Sequence, residues 1–140
     1  MKRIVLLFTL FIIFQGYFVN AQNKVKTSTT AKVEVYYFHP TERCPIDQSI
    51  EANTKIVMQS FFSKETGNGT IIYQVLNTDD KANAKTVAKF KMNTQALYIV
   101  RHDKGKEIIN DLTDFAFSFS QSNPAKFKTR LKNEVESALK

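Results

Sequence analysis

The chain has 140 residues, a formal charge of +7 and 43% apolar residues. That composition excludes a disordered chain, and the length leaves room for one domain with a modest core. Cys44 is the only cysteine, which excludes an internal disulfide scaffold.

The sequence opens with Lys2 and Arg3, then an apolar run from Ile4 to Phe14 and the small-residue pattern Val19-Asn20-Ala21 ahead of Gln22. That order predicts a secretory signal peptide over residues 1–21. The alternative is a retained anchor, but the run falls short of the ~20 residues a spanning helix needs. No cysteine stands directly after it to carry a lipid. Export to the periplasm or the exterior is therefore expected, with no membrane insertion after cleavage. Cleavage also removes two positive charges. The remaining basic balance suits acidic partners, envelope polyanions or simple solubility. Nothing resembles a nucleic-acid-binding motif.

Residues 22–31 are polar and read as a flexible lead-in to a domain over 32–140. Lys32 to Phe38 predicts a strand, with Val33, Val35 and Tyr37 on one face and Glu34, Tyr36 and Phe38 on the other. Both faces are mostly apolar, as in an interior strand. His39-Pro40 ends it. A helix follows, with Ile46, Ile50, Val57 and Phe61 near one face. Thr41 or Cys44 lies at its start, with Pro45 in the first turn. Residues 66–69 form a turn. Asn68-Gly69-Thr70 also matches a glycosylation sequon, but an Asn-Gly turn is the simpler meaning.

Thr70 to Asn77 predicts a second strand. Asp79 and Asp80 then precede a short helix over Lys81–Phe90, with Ala84, Val87 and Ala88 on one side. Ala96 to Val100 is a third strand. Residues 102–106 read as a hairpin turn that leaves His102 in solvent, and Glu107 to Ile109 begins a fourth strand. Over Asp111–Gln121, Phe115, Phe117 and Phe119 alternate as in a strand, yet Phe115 and Phe119 are also spaced as on a helix. A short helix or an irregular segment is expected, with the rings in the core in preference to a partner surface. Asn123 caps a last helix, Pro124 takes its first position, and Phe127, Leu131 and Val135 line one face. The order β-α-β-α-β-β-α makes the first two strands parallel and the last two antiparallel. The fold class is α/β: a central mixed four-stranded sheet with helices on both faces.

The stretch VYYFHPTERCPID resembles small exported bacterial thioredoxin-like proteins, whose pattern runs from a strand through His and a short turn with Thr and Arg to Cys-x-x-Cys. The resemblance covers roughly residues 32–139 and implies a thioredoxin-like fold with Cys44 in the attacking position. It also implies that Pro45, Thr94 and Gln95 line a substrate groove. Two positions depart from the family. Asp47 replaces the second cysteine, and Gln95 stands nearest the family's cis-proline. Thr94–Gln95 is expected to be trans, because a non-proline cis bond costs about 2.5–4 kcal/mol.

The N–H groups and dipole at a helix start favour a thiolate. Arg43 adds positive charge nearby, as does His39 when protonated. Asp47 repels a thiolate if the two approach, and can take helix N–H groups itself. Two roles are open to it: helix-start acceptor or proton-transfer group. Cys44 is either a solvent-accessible thiol or a buried, inert one, as free cysteines often are. Without a resolving thiol, an accessible Cys44 is limited to mixed disulfides released by an external thiol. The expected partners are protein thiols or a partner protein, and a Cys44-linked dimer is compatible with the sequence. His39, Cys44 and Asp47 are suitable ligand types but match no zinc signature, so neither a metal nor a cofactor is expected. The function expected is a degenerate thioredoxin-like protein with weak or no dithiol activity, acting by monothiol exchange or redox sensing. The alternative is a non-catalytic binding module on the same scaffold.

Overall fold

A computed structural model describes residues 31–92 and 94–140. The expected signal peptide and the lead-in up to residue 30 lie outside the described residues. Ala31, expected in the flexible lead-in, is buried.

Four strands form one mixed sheet: β1 (Val33–His39), β2 (Ile71–Asn77), β3 (Ala96–Asp103) and β4 (Lys106–Asp111). Their spatial order is β2-β1-β3-β4, with β1 parallel to β2, antiparallel to β3, and β3 antiparallel to β4. Among the described residues, five helices accompany them: α1 (Pro45–Phe61), α2 (Ser63–Gly67), α3 (Ala84–Phe90), α4 (Thr113–Phe119) and α5 (Pro124–Ala138). A 3-10 turn at Lys81–Asn83 leads into α3, started by Asp80, whose side chain accepts the Ala82 N–H.

β1 is interior because both its faces are apolar. Val33, Val35 and Tyr37 join Ile50 and Val57 of α1, Leu97 and Ile99 of β3, Ala116 of α4, and Phe127, Leu131 and Val135 of α5 in the larger core. Tyr36 and Phe38 point the other way. With Leu76 and Val100 they build a smaller layer roofed by Val87 and Phe90 of α3. Helices thus cover both faces. Phe115, Phe117 and Phe119 lie on α4 and pack against the larger core.

Four local expectations change. Thr66 and Gly67, expected in a turn, close α2, and the turn proper is Asn68-Gly69. Phe61 is 53% exposed, while Phe62 is buried. The buried stripe of α1, through Ile50, Thr54, Val57 and Met58, drifts around the helix and leads to Phe62; Phe61 lies instead beneath the Lys132 ammonium. On α3, Ala84 and Ala88 are exposed, and Phe90 joins Val87 against the sheet. The third strand continues to Asp103, so His102 belongs to β3 and pairs with Glu107. The turn proper is Lys104-Gly105, with φ of 48° and 78°. Positive φ at both central residues matches the right-handed twist of a two-residue hairpin, and glycine adopts it without strain.

Candidate functional site

β1 ends at His39, and five residues later α1 begins with Cys44 as its N-cap and Pro45 in the first turn. Cys44 is exposed. Asp47, three residues on, is fully buried. Its carboxylate accepts the Cys44 N–H at 3.0 Å, and the Cys44 side chain faces the Asp47 N–H in return, closing a reciprocal capping box.

Asp47 is held from two further directions. Gln95 Nε2 donates to its Oδ2 at 3.3 Å. The Tyr37 hydroxyl donates to the Asp47 carbonyl at 3.0 Å and lies 3.4 Å from Oδ1. Burial pushes the Asp47 carboxyl up, but the bonds from Cys44, Gln95 and Tyr37 outweigh it and hold the group below its ordinary 3.8. Burial and the adjacent Asp47 charge push the Tyr37 phenol up, so it stays a hydrogen-bond donor.

Arg43 lies beside this cluster. Its guanidinium pairs with Glu51 at 2.5 Å, donates to the Asp47 carbonyl at 3.2 Å, and rests over the Tyr37 ring. Its positive charge is thus engaged along α1. The His39 ring packs near Tyr37 at the edge of the cluster, and its Nδ1 lies 2.8 Å from the Pro40 carbonyl. Asp79, which accepts the Thr41 N–H at 2.7 Å, is held low chiefly by that bond and further by the His39 charge.

Of the residues singled out in the sequence, Arg43, Cys44, Asp47 and Gln95 form one connected cluster. The His39 ring borders the cluster through Tyr37, but its Nδ1 turns to the Pro40 carbonyl and makes no bond to Cys44 or Asp47. Pro45 and Thr94 are exposed beside the cluster, and the Thr94 hydroxyl bonds the Gln95 side chain. Thr94–Gln95 is trans. Sequence reasoning missed Tyr37 as a site residue. The available signal was its place on the helix-facing side of β1, where a buried phenol needs a partner. His39, Cys44 and Asp47 do not bring three ligand atoms within 4.8 Å of one another; Glu34, His102 and Glu107 do.

Chemically, the arrangement offers one accessible thiol above a buried, ionised carboxylate. No family model matches the chain, and no curated protein matches it.

Proposed function

We propose that the chain is an exported thioredoxin-like protein in which Cys44 forms mixed disulfides with external thiols and does not turn over as a dithiol enzyme. One observation carries the reading: Cys44 is exposed at the α1 N-cap, and the resolving position three residues on holds a buried, fully engaged Asp47. The sheet order, with β1 and β2 parallel and a β3-β4 hairpin, supports the thioredoxin-like scaffold.

The step is thiol–disulfide exchange. The Cys44 thiolate attacks one sulfur of a partner disulfide. A Cys44–partner disulfide forms and the other partner sulfur leaves as thiolate. A second external thiolate then attacks the mixed disulfide and regenerates Cys44. Asp47 has no sulfur to perform that second step internally.

Mass spectrometry after incubation with glutathione disulfide tests this. The native protein should gain one glutathione, lost on adding a thiol, and should alkylate at Cys44 without denaturant. Asp47→Cys should gain reduction of a model disulfide that the parent lacks. No adduct and no alkylation until denaturation would sink the exchange reading and leave the non-catalytic binding module.

A further inference from the structure

A second cluster stands at the opposite end of the sheet. Glu34 lies near the start of β1, His102 near the end of β3, and Glu107 in β4. His102 pairs with Glu107, and Glu34 pairs with Val100, two residues before His102, on the sheet face roofed by α3. Roughly 17 Å of strand, five residues at ~3.3 Å each, separates Glu34 from His39 at the Cys44 end.

We propose that Glu34, His102 and Glu107 bind a divalent transition-metal ion of the zinc class. One ligand atom from each lies within 4.8 Å of the others. Glu34 Oε2 and His102 Nε2 are 3.2 Å apart. Two ligands of a tetrahedral zinc ion, each at ~2.0–2.1 Å, stand about 3.3 Å apart. Both atoms are buried, and apart from the pair they make with each other neither has a polar partner among the described residues. Buried polar atoms with so few partners are costly, and an ion between them satisfies both. One imidazole with two carboxylates suits zinc better than the all-oxygen shells of calcium or magnesium.

Glu107 is the movable ligand. Its side chain is partly exposed, and Oε1 lies 3.9 Å from His102 Nδ1 and 2.6 Å from Lys89 Nζ. Lys89 therefore competes with the ion for this carboxylate. A groove of about 830 Å³, lined by Lys32, His102, Lys104, Gly105 and Glu107 among others, reaches the cluster from solvent. It gives the ion an entry path and a water its fourth position.

Equilibrium dialysis of the untagged full chain against zinc chloride, in several-fold excess, tests the site. One zinc per chain is expected, and equally in Cys44→Ala, which removes the other soft ligand. His102→Ala should abolish binding. Glu107→Gln, at an exposed position that leaves folding intact, should weaken it about 10-fold or more. Lys89→Met should tighten it by freeing Glu107. Absence of stoichiometric zinc overturns the proposal, as does binding that vanishes in Cys44→Ala or survives undiminished in Glu107→Gln. If His102→Ala does not fold, by circular dichroism, Glu107→Gln decides.

Discussion

The buried Asp47 carboxylate gathers three hydrogen-bonded neighbours, so its replacement exposes what it satisfies. Asp47→Ala leaves the Cys44 N–H, the Gln95 amide and the Tyr37 hydroxyl short of a carboxylate partner. Loss of a helix cap costs about 0.5–2 kcal/mol, and each buried donor left unpaired about 1–3 kcal/mol. A destabilisation of roughly 2–4 kcal/mol is expected in urea unfolding on that basis, with Asp47→Asn costing less because an amide oxygen still accepts. The pH dependence follows from the lowered carboxyl. A group whose folded value lies below its unfolded value binds protons more readily when unfolded. Its stabilisation is complete above the ordinary 3.8 and is lost as pH falls through the lower folded value. Asp47→Asn should therefore show a shallower acid limb in stability against pH than the parent. Equal limbs would mean that other carboxylates govern acid unfolding.

At the scale of elements, the ends of helices decide as much as their faces. α3 closes on Lys91, a non-glycine residue in the left-handed region at φ 53°, whose N–H bonds back to the helix. The same cap formed by glycine avoids the Cβ clash, which costs about 1–2 kcal/mol. Lys91→Gly should accordingly raise the thermal midpoint, with a gain of up to about 1 kcal/mol once the added unfolded-state entropy is deducted. The elements themselves were largely legible in the sequence, because periodicity is local. β1 declared two apolar faces, and α5 declared its cap and its Phe127-Leu131-Val135 stripe. What escaped depends on register between distant segments. Tyr37 reaches Asp47 only because the chain turns after β1 and lays the first turn of α1 back over it. His102 meets Glu34 only because β3 runs three residues past its apolar stretch. The drift that buries Phe62 instead of Phe61 likewise reflects how long α1 follows a twisted sheet. Thus Cys44 and Asp47 could be found by their spacing, whereas the Glu34-His102-Glu107 cluster could not.

For the molecule as a whole, the unequal layers on the two sides of the sheet set where stability resides. The larger core takes α1, α4 and α5 on one face of β1 and holds Phe127 fully buried. Among the described residues, the smaller layer has only α3 for a roof, and Phe90, although packed against Tyr36, Phe38 and Tyr98, stays partly open to solvent. With a single cysteine and so no internal disulfide, these layers carry the fold. Truncating a fully buried phenylalanine costs about 3–5 kcal/mol through lost transfer energy and the cavity left behind. A partly exposed ring loses less, because water can reach the space it vacates. Phe127→Ala should therefore destabilise the protein by the larger amount and Phe90→Ala by about half of that. β1 contributes side chains to both layers, so neither layer can melt while the sheet persists intact. In both variants, unfolding followed by far-ultraviolet dichroism and by tyrosine fluorescence should give one coincident transition, as a two-state domain does. Two separated transitions in Phe90→Ala would instead make the α3 layer an independently melting unit, and would place the Glu34-His102-Glu107 corner in the less stable part of the protein.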